Sequence, residues 1–297
     1  LTGTECQGGD CCQTILLPGG NVTLNGTQWT VPPFYLDKYE VTVSRFRAFV
    51  NAAPAWQAAG NPQQGAGAHP LVPESGWRTD WMTQVQQCVG GSPADGLVPN
   101  WKHYADGNNP YGGDPDYLVP GSDNLAVNQV PFHVAFAFCI WDGGRLPAAA
   151  EFKVASHGGD GTKAYVWGDT PTPAEVFATI PPVTVPTPPR GDTFWKDIGI
   201  PVGSHPASAG PFGHQDLAVG MQEYLRDAGL SSGASSTGGL IELGGDEIAC
   251  ADSLASDVYQ SRTCGWGSWE QPSGEGEVTV WSGLGDGTVG FRCARDP

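Results

Sequence analysis

The sequence predicts one loop-rich domain assembled from a few short helices and short strands. Three observations carry this expectation. Glycine and proline are abundant, at 43 and 26 of 297 residues, and interrupt the chain too often for long elements. Helical patterns are brief and fall at 43–52, 132–142 and 147–156. No internal repeat or sustained heptad is present, which removes solenoids and coiled coils. The length would suit one large domain or two small ones, and one domain with many loops is the better reading.

The elements follow in order. Residues 1–16 read as an N-terminal lead pinned by disulfides, because Cys6, Cys11 and Cys12 lie in a glycine-rich stretch with little core-forming sequence. Cys88 is a candidate anchor for that lead. The body, 17–297, begins strand-rich up to Val41, with turns expected at Pro18-Gly19-Gly20 and Asn25-Gly26. Over 43–52 a helix should carry Phe46 and Phe49 inward, with Arg45 and Arg47 outward. Residues 54–130 are rich in Gly, Pro, Asn and Trp and show little period, the mark of functional or cross-linked loops. The run AFAFCIWDGGRLPAAAEF (135–152) is the clearest signal in the chain. Phe136, Phe138, Ile140 and Trp141 crowd a helix that must be buried on more than one side, and Gly143-Gly144 caps it. Pro147 suits an early position of the next helix. The proline-rich 180–190 cannot be a central strand or a helix interior. A Ser/Gly loop at 229–239 and short strands at 277–281 and 288–293 complete the chain.

Charge narrows the function classes. The chain has 14 basic and 31 acidic residues, a net charge of −17. Nucleic-acid binding, which needs a basic surface for phosphates, is disfavoured, and so is docking on anionic membranes. The acids suit solubility and are compatible with divalent cations. No stretch approaches the ~20 apolar residues of a membrane span. The chain opens on Leu1 rather than Met, as a processed mature form would. Eight cysteines (Cys6, Cys11, Cys12, Cys88, Cys139, Cys250, Cys264, Cys293) form an even set, as expected for four disulfides in a secreted, extracellular or periplasmic protein. Asn21-Val22-Thr23 and Asn25-Gly26-Thr27 match the N-glycosylation sequon, although polar turns explain them equally well.

Six stretches in order, FYLDKYEVTVSRFRAFV (34–50), CIWDGGRLPAAAEF (139–152), VWGD (166–169), GHQDLAVGMQEYLRD (213–227), LGGDEIAC (243–250) and GFRCAR (290–295), resemble the sulfatase-modifying-factor family, to which the formylglycine-generating enzymes belong. The resemblance spans about residues 17–297. It implies an irregular α+β fold of low secondary-structure content, a formylglycine-generating-enzyme-like single domain related to the C-type lectin fold. It also supports a Cys139–Cys293 bond between the buried helix and the last strand.

The resemblance further implies calcium. In DLAVGMQE (216–223), Asp216 and Glu223 would supply carboxylates, with Val219 and Met221 offering backbone carbonyls, the oxygen set a hard cation takes. By composition alone, a surface turn with two solvated acids would look the same. A second site would use Asp192 and Phe194, with Thr179 and Ile180 near the family's companion ligands; the family asparagine is missing there, and an Asp-to-backbone turn explains Asp192 as well.

The enzyme question turns on cysteine. The family enzyme holds copper between two closely spaced cysteines, and thiolates select Cu(I). Here Cys250 stands about where the first would be, but the place of the second is Ala255. Cys264 lies too far along to restore the local pair and suits a disulfide with Cys250. Copper is therefore not expected, and Cys250 is only a weak catalytic candidate. The six histidines (His69, His103, His133, His157, His205, His214) show no metal-ligand spacing, and neither a G-x-S-x-G elbow nor a phosphate-binding loop occurs. The expected function is a secreted, calcium-stabilised, disulfide-bonded binding or structural protein. Its loops at 54–130, 180–192 and 229–240 would take carbohydrate or peptide or support self-association. The alternative is a metal-dependent oxidoreductase with an altered copper or other metal centre near Cys250.

Overall fold

Alternation and turn placement organise the N-terminal strands. A computed structural model describes residues 5–6, 9–24, 27–83, 85–86, 122–127, 130, 132–160, 163, 166, 201–204, 206, 209–217, 222–226, 247–249 and 289–297. β1 (Glu5–Cys6) and β2 (Gly9–Asp10) form a small antiparallel pair. β3 (Thr14–Leu17) runs antiparallel to β6 (Phe34–Asp37), with Leu17 opposite Phe34. Between them, β4 (Gly20–Leu24) and β5 (Thr27–Val31) make a hairpin. Val22 and Val31 of this hairpin are buried while Asn21, Thr23, Gln28 and Thr30 are exposed, the period of two of a half-buried ribbon. Gly19 is required at the turn into β4: its φ is +75°, and a Cβ there would lie 2.1 Å from the Val31 carbonyl oxygen.

Helix α1 (Val43–Ala58) starts where Thr42 Oγ accepts the Arg45 N–H at 3.4 Å. Phe46, Phe49 and Ala53 are buried as the apolar pattern requires. The helix ends at Ala58 rather than 52 and passes through Pro54. Trp56 packs edge-on against Phe49 at 6.0 Å, and that burial outweighs the one helical hydrogen bond a proline removes. The outward placement of Arg45 is corrected: its side chain is 1% exposed, because Asp37 and Asp142 meet it from neighbouring elements. Arg47 does face outward, where it pairs with Asp123.

Helix α2 (Phe132–Trp141) is buried from Phe132 through Cys139 except at His133, so its apolar character on several sides reflects several packed neighbours. It stops in a Schellman motif. The Gly144 N–H donates to Cys139 O at 2.7 Å and the Gly143 N–H to Ile140 O at 3.0 Å, with Gly143 at φ +83°. Helix α3 (Ala149–His157) begins later than expected. Pro147 precedes its cap residue Ala148, held in extended chain where the Pro147 carbonyl accepts the Arg226 N–H at 2.8 Å. Ala148 has no oxygen with which to cap, and only the return half of a capping box remains, the Ala148 N–H donating to Glu151 at 2.8 Å.

Towards the C-terminus β7 (Gln222–Leu225) lies between antiparallel β8 (Glu247–Ala249) and parallel β9 (Val289–Gly290). The expected strand 288–293 is thus short, and pairing resumes at β10 (Ala294–Arg295), which joins β6. The expected strand 277–281 lies outside the described residues. A disulfide links Cys139 of α2 to Cys293 across 154 positions, with the Cα atoms 5.5 Å apart. Around it Phe138 stands edge-on to Phe291 at 5.4 Å and stacks with Phe46 at 5.9 Å. A second apolar cluster joins the β4–β5 hairpin to α3. The result is a single mixed α/β domain with few helices and small sheets. Among the described residues no helix is long and apolar enough to cross a membrane.

Candidate functional site

Of the acids expected to bind metal, Asp216 meets the turn at 201–204 and Glu223 meets Arg292 near the C-terminus. Residues 201–204 form a turn in which the Ser204 N–H donates to Pro201 O at 3.2 Å, and Gly203 supplies the positive φ of +78° that the turn requires. The Gly203 N–H donates to Asp216 Oδ2 at 2.6 Å. Asp216 adopts φ +62°, a conformation that aspartate tolerates better than most residues. Its side chain is buried, as is that of Glu223 on β7.

Arg292 organises the pair. Its Nε lies 3.0 Å from Glu223 Oε1 and 2.7 Å from Oε2, and its Nη2 donates to Oε1 at 2.7 Å. The other N–H groups donate to carbonyls: Nη1 to Asp37 O at 3.3 Å and Lys38 O at 3.2 Å, and Nη2 to Gln215 O at 3.1 Å. Burial works against the Arg292 charge, but Glu223, with Glu40 and Asp216 adding to it, outweighs burial and raises its pKa. His214, directly before the loop, is pushed the other way, to about 3, by burial and by the Arg292 charge. Asp216 and Glu223 are both buried carboxylates, the donor type that a hard cation takes. Arg292 already neutralises one of the two charges. Val219 and Met221 lie outside the described residues, as do Asp192, Phe194, Thr179, Ile180 and Cys250.

The cysteines depart from expectation at one point. Cys11 is disulfide-bonded, and Cys139 pairs with Cys293, but Cys12 is a free, half-buried thiol. Eight cysteines with Cys12 unpaired allow at most three disulfides, which corrects the expected four. Cys12 stands beside a bonded neighbour in a tight turn, and its own N–H is held by Asp10 Oδ1 at 2.9 Å. Its pKa is raised by burial, with Arg45 opposing and Asp10 and Asp142 adding to the rise.

Two further charged clusters were not foreseen from the sequence. In the first, Asp37 and Asp142 alternate with Arg45 and Arg295, and each arginine touches both aspartates. Asp37 Oδ2 also accepts the Cys293 N–H at 3.3 Å, beside the disulfide. The two carboxylates and Cys293 Sγ cluster within 4.8 Å, yet that sulfur is bonded and the oxygens already face guanidiniums, so the group suits a structural role rather than a metal. In the second, Arg145 forks onto Glu151 with two bonds of 2.7 Å and also reaches Asp296. His69 Nδ1 accepts the Leu71 N–H, which leaves Nε2 protonated and 3.3 Å from Glu151 Oε1. The signals stood in the family-like stretches, as Asp37 and Arg45 of the first, Asp142, Arg145 and Glu151 of the second and Arg295 of the last, but apart from Asp37 with Arg45 and Arg145 with Glu151 the pairs that close the clusters join different parts of the chain.

Comparison with known proteins places this geometry in context. The chain matches the sulfatase-modifying factor enzyme 1-like domain over residues 2–297. It is 28% identical to a formylglycine-generating enzyme of Mycobacterium tuberculosis over 229 residues, 71% of this chain and 73% of that protein. It is 31% identical to the Mus musculus formylglycine-generating enzyme over 142 residues, 47% of this chain and 35% of that protein. The Streptomyces coelicolor enzyme of the same name is 33% identical over 143 residues, 48% of this chain and 41% of that protein. The chain therefore spans well under half of the mouse and Streptomyces relatives and about three quarters of the mycobacterial one.

Proposed function

Because the chain belongs to the sulfatase-modifying factor enzyme 1-like family, we propose that it is a calcium-stabilised, disulfide-bonded binding or structural protein of an extracellular or periplasmic compartment, without the family's copper chemistry. The observation that carries this reading is Ala255, which stands where a second copper thiolate would be needed beside Cys250. One thiolate cannot form the two-sulfur site that a soft Cu(I) ion favours. The reading is supported by a well-held scaffold among the described residues, in the Cys139–Cys293 bond and the buried Arg45, Arg145 and Arg292 ion pairs. Such a scaffold, related in this reading to C-type lectins, would present its long loops to a carbohydrate, a peptide or a second copy of the chain.

Three measurements on the native protein test this. Peptide mapping under non-reducing conditions should find Cys250 joined to Cys264. Titration with Cu(I) should show no tight site, and no oxygen should be consumed with a cysteine-containing peptide. A free Cys250 that binds Cu(I) tightly and supports oxygen consumption would overturn the reading in favour of an altered metal oxidase.

A further inference from the structure

We infer that His133 is an acid-operated latch: as a neutral ring it holds residues 78–82 against the start of α2, and as an imidazolium it lets them lift away and uncovers Trp81. The contact is aromatic. The Trp81 ring lies 4.7 Å from that of His133 and edge-on to Phe132 at 6.3 Å, Phe136 at 5.5 Å and Trp77 at 5.4 Å. The main chain of this segment holds less firmly. Beyond Trp77, whose N–H donates to Ala66 O at 2.8 Å, the Thr79 N–H reaches Gln64 Oε1 at 3.1 Å and the Trp81 N–H closes a turn on Arg78 O at 3.1 Å. Side chains, Trp81 foremost, therefore fasten 78–82 to α2, and a charge placed beneath Trp81 acts on that fastening directly.

The surroundings of His133 refuse such a charge. Among the described residues the charged groups that act on it are Asp80, Arg226 after β7, and Arg78. Both guanidiniums lie 5.9 Å from the Trp81 ring, and Arg226 also sits 5.1 Å from Phe136. Asp80 is the one carboxylate of the three, and Arg78 already holds both its oxygens, at 3.1 and 2.8 Å. His133 stands at the second position of α2, which has no acid in its first turn, so the helix start adds a further positive potential. Its Nδ1 is buried without a hydrogen-bond partner among the described residues, so the second N–H of an imidazolium would be stranded there. Burial, with Arg226 and Arg78 adding to it and Asp80 opposing, pushes the ring's pKa down to about 4. A ring that swings out with the segment escapes all of these and takes its proton at the ordinary value.

Hydrogen exchange of the full-length protein, expressed as protection factors so that the intrinsic pH dependence cancels, reads the latch segment by segment. With the released ring at its ordinary value of 6.5, opening of 78–82 should become more frequent by on the order of a hundredfold between neutral pH and about pH 4, while α1 keeps its protection. His133→Phe should keep 78–82 protected over the same range. Two exposed variants fix the sign. Arg78→Gln frees Asp80 to meet the imidazolium and should shrink the response. Adding Asp80→Asn to it removes that acceptor and should restore the response. Loss of protection at 78–82 that is as large in His133→Phe as in wild type overturns the latch. So does loss of protection at α1 in step with 78–82, which would mean that the whole domain opens. If His133→Phe does not fold, the other two variants decide, and an Arg78→Gln response no smaller than that of wild type refutes the inference.

Discussion

Glu151 offers the sharpest quantitative check of the buried charge network. It is fully buried, and although burial opposes ionisation, the forked bonds from Arg145 and the nearby His69 hold its pKa down to about 2, against an ordinary value of 4.5. Because the folded pKa is depressed, the carboxylate contributes stability above its unfolded pKa, and that contribution is lost as pH falls through the folded one. Linkage puts the loss at well under 1 kcal/mol by pH 4.5, between about 1 and 2 kcal/mol by roughly pH 3.5, and about 3 kcal/mol by roughly pH 2. Glu151→Gln keeps the shape and one acceptor oxygen but cannot ionise, while Asp296 still compensates Arg145. At neutral pH the variant should therefore be less stable by on the order of 3 kcal/mol. Urea unfolding curves for both proteins, measured from neutral pH down to about pH 3.5, should show the gap narrowing by between about 1 and 2 kcal/mol. Taking the difference cancels the acid sensitivity the two proteins share. A gap that stays constant over this range, or widens in acid, would refute the assignment of an ionised Glu151 clamped by Arg145.

Two other outcomes follow from the remaining perturbed groups. Burial lowers His133 to about 4, against opposition from Asp80, so the unfolded chain takes up a proton in the window between about 6.5 and 4 that the folded protein refuses. Stability should fall with pH across that window, and His133→Phe should flatten this part of the profile in thermal melts. In the native protein Cys12 should react with iodoacetamide, slowly at neutral pH and faster as pH rises toward its raised pKa, while Cys139 and Cys293 react only after reduction. Mass mapping of the alkylated sites checks this, and a Cys12 found in a disulfide would sink it.

Local rules predicted what local interactions decide. The apolar crowding at 135–141 and the paired glycines after it sufficed to place α2 and its end, because helix burial and left-handed capping depend on residues a few positions apart. The Cys139–Cys293 bond was legible because the family pattern joins two distant segments that no local rule connects. Arg45 was misplaced for the opposite reason. It and Arg47 look alike in a helix written on paper, and only the arrival of Asp37 from β6 and Asp142 from the end of α2 separates a buried cation from a solvated one. Glu223 was expected as a ligand, yet the guanidinium that occupies it comes from 69 positions away. Pro54 made the helix look shorter than it is, since the penalty is local while the compensating contact between Trp56 and Phe49 spans two helical turns.

The distribution of charge in the core bears on how a loop-rich chain with short ladders keeps one arrangement. Hydrogen-bonded ladders here are short, and the central β6 is paired over only four positions with β3 and two with β10. Register must therefore be fixed by something else. Arg45, Arg145 and Arg292 are each buried, and each binds a carboxylate distant in sequence, Asp142, Asp296 and Glu223 respectively. Buried ion pairs recover much of their attraction only by repaying desolvation, so they add less to net stability than apolar packing would. Their cost appears when a wrong arrangement leaves one charge without its partner, which penalises alternative packings of a loop-rich chain. Among the described residues the clamps join positions within 37–45, 142–151, 215–223 and 292–296, so a few buried charges tie together segments whose short ladders alone would leave them free to slip.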